Sequence, residues 1–521
     1  MTCDIESTRL PGKGVISLEA YQQNDTPVVI IPRTESSTSL VVTYRELYRA
    51  IIRLQTDLGQ LGIGENMHLA LSLPNGLEFI VSFLSGVAQR ATVAPINPGY
   101  TQQEALTILR RIQPSLLLVL CPSPVTQAAH DLSIPAASCV WDSESSMIRL
   151  QLLSKVYEPC PTPAVAPSKM SPEDNALMLF TSGTTGTPKC VVLTHHNLLV
   201  AVSIITRAHG LSPGDRCALI TPLFHVVGVG ASLLTTLFSG GAVVIPPSLS
   251  GAFWTQLQES GVTWYHAVPT LHRLLLTFPR PSNMPALRFI RSGGSSLAPV
   301  TLQQLEEELA TPVLEIYGMT ETAPGIFCNR LEGARRSSCY PIAPEVTVRI
   351  RQCDNSGKNA VMTDQIGVVG EICVRGPSIM HGYVDNPEAN EDSFVDGFFR
   401  TGDLGMLDEN QTIRLTGRIK EIINKGGEKI DPTEVEQIFH AHEAIREVVC
   451  FRIKDEAYGE EIGLAVALNE GHELNARQVK MYARKNAVSF KVPKKVVFLE
   501  VIPRNQTGKY QRQLLSRQYG S

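Results

Sequence analysis

Between the apolar runs Ala176-Leu177-Met178-Leu179-Phe180 and Val191-Val192-Leu193 lies the stretch Thr181-Ser182-Gly183-Thr184-Thr185-Gly186-Thr187-Pro188-Lys189. Each apolar run reads as a buried strand, so the stretch between them is a loop. Gly183 and Gly186 permit backbone angles that turn N–H groups toward a common point, and such a concavity binds anions. The Ser and Thr hydroxyls add donors, and Lys189 adds a positive charge. That combination suits the holding of phosphate. It is not a Walker loop, which places Gly-Lys-Ser/Thr at the start of a helix. Here Lys follows Pro, and a strand follows Lys. A surface loop of similar composition is the plain alternative, but the setting between two apolar runs favours the cradle.

Other clusters carry groups suited to the rest of a nucleotide. Glu315-Ile316-Tyr317-Gly318-Met319-Thr320-Glu321 follows Val313-Leu314. The Tyr317 ring offers a flat face to a purine, and Gly318 admits close backbone approach. Glu321 is a hard oxygen ligand suited to Mg2+ held with phosphates. Arg291-Ser292-Gly293-Gly294-Ser295-Ser296 closes a strand around Phe289, where paired glycines let a ligand press on the backbone. Thr401-Gly402-Asp403 sets a carboxylate after a turn, where it can accept from two vicinal sugar hydroxyls. Taken singly, each has a bland alternative: a strand-end turn, a bare Gly-Gly turn, an exposed turn Asp. His225, in Pro222-Leu223-Phe224-His225, is as readily a core histidine as a functional one. Lys509, in Pro503-Arg504-Asn505-Gln506-Thr507-Gly508-Lys509, would alone read as a solvated charge.

The elements that must position these groups alternate. Val28–Ile31 reads as a strand, and Thr43-Tyr44-Arg45-Glu46 is a capping box that opens a helix with Leu47, Ile51, Leu54, Leu58 and Leu61 on one face. Strands over 67–73, 93–96 and 115–120 alternate with helices over 79–88 and 102–112, which predicts a mostly parallel sheet with helices on both faces. A Pro-rich connection spans 159–167, and the alternation resumes after it with strands over 218–220, 242–245, 264–268 and 289–290. Beyond residue 340 short alternating runs predict a β-rich subdomain, and from Gly417-Arg418 onward a compact α+β unit follows. The fold class is therefore α/β, with a large N-terminal domain of mostly parallel α/β layers over 1–417, its β-rich subdomain over about 335–417, and a small C-terminal α+β domain over 418–521.

At 521 residues the chain exceeds a single core. A net charge of −4 and a pI near 6.3 give no reason to expect nucleic acid. The eleven cysteines show no metal spacing and read as reduced thiols of an intracellular protein. No signal peptide and no Ser-Lys-Leu terminus is visible, which points to the cytoplasm. Residues 217–258 lack charge, but Gly228, Gly230, Gly240 and Gly241 interrupt them. They read as a buried helix over about 227–238, a turn and a strand, so no integral membrane protein is expected.

The phosphate loop, the Tyr317–Glu321 turn, Asp403, Arg418 and Lys509 occur in one order along nearly the whole chain. Together they resemble the adenylate-forming enzymes: acyl-CoA synthetases, stand-alone adenylation domains and firefly luciferase. The resemblance implies an ATP-dependent carboxylic acid–CoA ligase with ATP, Mg2+ and coenzyme A. It works through an acyl-adenylate and releases AMP and pyrophosphate. A small or aromatic acid is expected, and a stand-alone enzyme that loads a separate carrier protein is the alternative. ATP and AMP would meet Thr181, Ser182, Gly183, Thr184, Thr185, Gly186, Lys189, Gly294, Ser295, Glu315, Ile316, Tyr317, Gly318, Met319, Thr320, Asp403, Arg418 and Lys509. Asp403 would take the ribose. Lys509, Glu321, Thr184 and His225 would be catalytic, with Thr184 and Glu321 on the metal. His225, Val226, Val268, Ser292, Gly293 and Gly318 would line the acyl pocket. Lys425, Gly426 and Gly427 would line the CoA tunnel, and Lys420 would be the hinge of a mobile small domain. A monomer or homodimer is expected. Two departures from the family pattern stand out: Cys190, usually Gly, and Ser338-Cys339-Tyr340-Pro341-Ile342, where Gly-x-x-Gly usually precedes the Pro.

Overall fold

The computed structural model describes residues 15–16, 19–34, 37–153, 169–181, 188–333, 338–353, 360–505 and 509–520. The capping box forms: Thr43 N–H donates to Glu46 Oε2 at 2.8 Å and Glu46 N–H to Thr43 Oγ1 at 3.2 Å. It starts the helix Tyr44–Gln60, which buries Leu47, Ile51, Leu54 and Leu58, with Leu61 as its C-cap. The same device at Thr101 and Glu104 starts the helix Gln102–Ile112.

The expected single parallel sheet is two sheets. One runs from edge to edge as Phe327–Cys328, Val313–Tyr317, Phe289–Ser292, Trp264–Ala267, Arg216–Ala218, Ala242–Val244, Pro27–Ile31 and Leu40–Thr43. The other runs as Met147–Leu152, Ala136–Asp142, Leu116–Val119, His68–Ser72, Thr92–Pro95, Asn175–Thr181 and Lys189–Thr194. Both are parallel except near their edges. Alternate strand residues explain the layering. Val29, Trp264, Leu69 and Leu116 enter one shared core with the helices Tyr44–Gln60, Leu77–Ala88 and His195–His209. Ile30 and Tyr265 face a second core under the helices Phe253–Glu259 and Pro299–Leu309. Ala70 and Leu117 face a third under Gln102–Ile112 and Pro124–Asp131. Strands buried on both faces carry no polar side to tell one sheet from the other.

The uncharged stretch is helical, but Val227–Leu234 is wound as a π-helix before the α-turn Thr235–Phe238. Gly228 and Gly230 let it approach closely. A Cβ on Gly228 would lie 2.1 Å from the Pro222 carbonyl oxygen, and one on Gly230 would lie 2.6 Å from Pro324. No helix of the described residues is long and apolar enough to cross a membrane.

The third sheet is antiparallel and spans Cys339–Pro341 to Thr412–Arg418. Ser338, at its start, has φ 57°, the left-handed region that favours glycine. The last sheet pairs Ile445–Asp455 with Gly459–Leu468. Helices Pro432–Phe439 and Ala476–Asn486 cover one face and Arg512–Tyr519 the other, on cores of their own.

Candidate active site

The cradle's strands form an antiparallel hairpin, with Thr181 opposite Lys189. Ser182, Gly183, Thr184, Thr185 and Gly186 lie outside the described residues. Lys189 carries its Nζ 4.4 Å above the Tyr383 ring. The Tyr383 hydroxyl donates to Glu321 Oε1 at 2.8 Å. One aromatic side chain therefore joins the cation of the cradle to the expected metal ligand. Tyr383 is itself clamped: its N–H donates to Asn390 Oδ1 at 2.6 Å, and its carbonyl accepts from Asn390 Nδ2 at 2.9 Å. Glu321 is 8% exposed, on the short turn Thr320–Thr322. Its other oxygen accepts from no described residue. A single such carboxylate is what a Mg2+ ion carried by phosphates needs.

Tyr317 ends its strand with one ring face stacked on Phe327 at 5.4 Å. Its hydroxyl donates to Asp403 Oδ2 at 2.7 Å. Arg418 donates to Asp403 Oδ1 at 2.6 Å and to Oδ2 at 3.3 Å. Asp403 raises the Arg418 pKa above the ordinary guanidinium value. A carboxylate has about four acceptor sites, so beyond these three bonds Asp403 retains about one for a sugar hydroxyl.

Lys509 comes to the same place from the far end of the chain. Asn505 N–H donates to the Lys509 carbonyl, and Lys509 N–H to Asn505 Oδ1 at 2.9 Å. The amine lies within the fields of Arg418, Asp403, Glu421 and Glu321. It is exposed. Desolvation, then Arg418, lowers its pKa from the ordinary 10.5, against the pull of Asp403 and Glu321. His225, half-buried, feels Lys509 as well. Burial first and then that cation push it down to about 4, so it is neutral. Next to Lys509, Tyr510 Oη accepts from Arg273 Nη2 at 2.9 Å and from Arg504 Nη2 at 3.0 Å. Arg273 belongs to the helix Pro269–Leu276 of the large sheet layers, so this bond ties the terminal segment to them.

Of the expected acyl-pocket residues, Val268, Ser292, Gly293 and Gly318 lie at the ends of neighbouring strands, while His225 and Val226 lead into the helix Val227–Leu234. A Cβ on Gly293 would meet Ile316 Cγ1 at 2.8 Å and His266 Cε1 at 3.1 Å. One on Gly294 would meet Val268 at 3.3 Å, and one on Gly318 would meet Gly325 at 2.7 Å. Val226 and Ser292 are buried, as are Glu315 and Ile316 within their strand. Glu315 Oε2 accepts from Ser338 N–H at 3.2 Å, so its carboxylate buttresses the turn at Ser338. Ser295 is exposed, and Met319 and Thr320 are half-buried. Met319 N–H donates to Thr322 Oγ1 at 3.0 Å.

Two residues before Gly293, Arg291 is 0% exposed, and none of its guanidinium nitrogens has a hydrogen-bond partner among the described residues. Its guanidinium lies 4.2 Å from the Trp264 ring. Stacking of this kind returns about 2 kcal/mol when desolvated, against several kcal/mol for taking an ion out of water. Burial pulls the Arg291 pKa down to about 10, which leaves it charged at neutral pH. His266 beside it has both ring nitrogens unpartnered and is neutral through burial.

Lys425, Gly426 and Gly427 stand apart from this cluster, on the hairpin tip between Ile423–Lys425 and Glu428–Ile430. Lys425 pairs with Glu461 and donates to the Phe490 carbonyl at 3.1 Å. Gly426 and Gly427 take φ 58° and 102°. Lys420 is exposed in the turn after Thr412–Arg418, and its carbonyl accepts from Arg452 at 3.0 Å. Sequence reasoning missed Tyr383, Arg273 and Tyr510, and it took Arg291 only as part of a glycine turn.

Residues 18–384 match the family model of AMP-binding enzymes, and 434–509 match that of the AMP-binding enzyme C-terminal domain. An acyl-CoA synthetase of Alternaria alternata is 45% identical, with 96% of this chain and 97% of the relative covered. An oxalate–CoA ligase of Arabidopsis thaliana is 37% identical over 90% and 91% of the two chains. Among solved structures, ATP-bound MatB from Rhodopseudomonas palustris superposes with a TM-score of 0.84 at 25% identity, covering 96% and 97% of the chains. The apo form of MatB gives 0.71 at 26% identity, covering 95% and 96%. On this evidence the chain belongs to the AMP-binding enzymes, among the acyl-CoA synthetases and CoA ligases.

Proposed function

We propose that this enzyme joins a small or aromatic carboxylic acid to coenzyme A in two steps. A carboxylate oxygen of the acid attacks the α-phosphorus of ATP, and pyrophosphate leaves. The CoA sulfur then attacks the acyl carbon of the adenylate, and AMP leaves. The observation that supports this reading is that Lys509, from the last segment of the chain, feels the charges of Asp403, Arg418 and Glu321 and is itself felt by His225. Negative charge builds where carboxylate meets phosphate, and a fixed cation there stabilises the transition state more than the ground state.

Asp403, held by Tyr317 and Arg418, takes the ribose, and Tyr317 takes the adenine. The stretch from Thr181 to Lys189 holds the phosphates. Glu321, with Thr184, would hold the Mg2+, which supplies charge neutralisation at the phosphates. His225, Val226, Val268, Ser292, Gly293 and Gly318 surround the acid. The higher TM-score against ATP-bound than against apo MatB supports a lobe arrangement set for adenylation. For the second step we place the boundary between 417 and 418 and the hinge at Lys420. Rotation there would bring Lys425, Gly426 and Gly427 to the cleft as the CoA tunnel. The relative named for oxalate supports a small acid.

The test is ATP–pyrophosphate exchange over a panel of small and aromatic acids, followed by mass analysis of the product with free CoA. Acid-dependent exchange and a CoA thioester support the reading. Exchange without thioester on CoA would favour a carrier-protein thiol, and no exchange with any acid would contradict the reading.

A further inference from the structure

We propose that Asn75 is a positioning residue for acid binding: it fixes the segment from Leu219 to Leu223 so that His225 meets the acid. The inference rests on the reading that His225 lines the acyl pocket.

Asn75 lies in the connection between the strand His68–Ser72 and the helix Leu77–Ala88. It therefore belongs to one sheet of the large lobe, while the segment it holds continues the strand Arg216–Ala218 of the other. Its side chain bridges the two. Nδ2 donates to the Leu219 carbonyl at 3.2 Å and to the Thr221 carbonyl at 2.9 Å. Oδ1 accepts from Leu223 N–H at 2.9 Å. Both amide hydrogens are used, and three backbone groups of five consecutive residues are held by one side chain.

That segment leads straight into His225. His225 N–H donates to the Pro222 carbonyl at 3.2 Å, and the His225 carbonyl accepts from Val229 N–H at 3.0 Å. The histidine thus sits on a turn between the held segment and the helix Val227–Leu234. The helix secures the segment from its own side. Thr221 Oγ1 and Ser232 Oγ lie 3.1 Å apart, and Gly228 packs against the Pro222 carbonyl. His225 Nε2 is buried and has no hydrogen-bond partner among the described residues. A neutral imidazole offers one donor and one acceptor nitrogen, so this atom is left for an incoming acid. Where it points is set by the turn, and the turn is set by the segment that Asn75 grips. None of the three Asn75 bonds goes to Asp403, Arg418 or Glu321, the groups assigned to nucleotide and metal. Loss of the grip should therefore be felt by the acid and not by ATP.

The test is ATP–pyrophosphate exchange with acetate, butyrate, succinate and benzoate, for wild type, Asn75→Ala, His225→Ala and the double variant. With the acid that wild type exchanges fastest, Asn75→Ala should raise the KM for acid by about tenfold, the worth of one to two hydrogen bonds. The KM for ATP should stay within about twofold, because the ATP contacts are untouched. A residue that acts through another loses its effect when the other is gone. In the His225→Ala background, Asn75→Ala should therefore change the acid KM by less than about twofold. Full multiplication of the two losses, or an equal rise in the KM for ATP, would mean a structural role and overturn the inference. Should Asn75→Ala fail to fold, Asn75→Ser is put through the same cycle and judged the same way. Wild-type exchange with an unaltered acid KM in the Asn75 variant overturns the inference and leaves the ligase reading standing. Exchange with no acid overturns both.

Discussion

Tyr383→Phe isolates one bond at the centre of the site. The hydroxyl donates to Glu321 at 2.8 Å, and Glu321 is 8% exposed. Removing the hydroxyl leaves a buried carboxylate oxygen short of its donor. A hydrogen bond to a charged group contributes about 2 kcal/mol, or about thirtyfold in a rate or equilibrium constant. The ring remains in the variant, so the contact with Lys189 survives. The Asn390 clamp also survives, because it grips only the Tyr383 backbone. The loss should therefore fall on Glu321, with Ser393 losing its contact to the same hydroxyl. In ATP–pyrophosphate exchange, kcat/KM should drop by about ten- to thirtyfold, and the Mg2+ concentration for half-maximal rate should rise by a similar factor. Tyr383→Ala should lose more, because the ring beneath Lys189 goes as well. If Tyr383→Phe titrates with Mg2+ as the wild type does, Glu321 is not the metal carboxylate that Tyr383 positions.

Three further expectations follow from the same geometry. His195, His225 and His272 are pushed down to about 4, about 4 and about 3, chiefly by burial, and His209 and His266 are lowered as well. The unfolded chain binds these protons near pH 6.5 and the folded chain does not, so this stability is complete above 6.5 and is lost as pH falls. Each histidine should cost about 1 kcal/mol between neutral pH and about pH 5.5, and urea midpoints at the two pH values would measure the sum. Asp403 raises the Lys509 pKa, while desolvation and Arg418 lower it. Asp403→Asn should therefore raise the KM for ATP by about tenfold or more and move the alkaline limb of adenylation to lower pH. An unmoved limb would separate Asp403 from Lys509. Arg273→Ala removes the bond to Tyr510. That costs the adenylation arrangement about 1 kcal/mol, about fivefold in exchange rate, without slowing thioester formation from supplied adenylate.

Local signals were legible wherever the chain itself supplied the partner. The capping box at Thr43 pairs residues three apart, and the helix Gln102–Ile112 ends on the last residue of its apolar period. The groups of the nucleotide site were legible as motifs, and Tyr317, Asp403, Arg418 and Lys509 are brought together in the structure. What stayed hidden depends on contacts between distant residues. The division into two sheets is invisible in strands apolar on both faces. The π-winding of Val227–Leu234 goes with close approach of Pro222 and Pro324 to its glycines. Tyr383 meets Glu321 across 62 positions, and Arg273 meets Tyr510 across 237. Arg291 left a trace: a charged residue directly after the apolar pair Phe289-Ile290, flanked in the sheet by His266 and Leu314.

The division of labour between the two lobes is tested most directly with Lys509→Ala in separated half-reactions. Pyrophosphate exchange should be abolished, while CoA thioester formation from supplied acyl-adenylate should proceed near the wild-type rate. Equal loss of both half-reactions, or exchange that survives the substitution, would contradict the placement of Lys509 at the forming acid–phosphate bond.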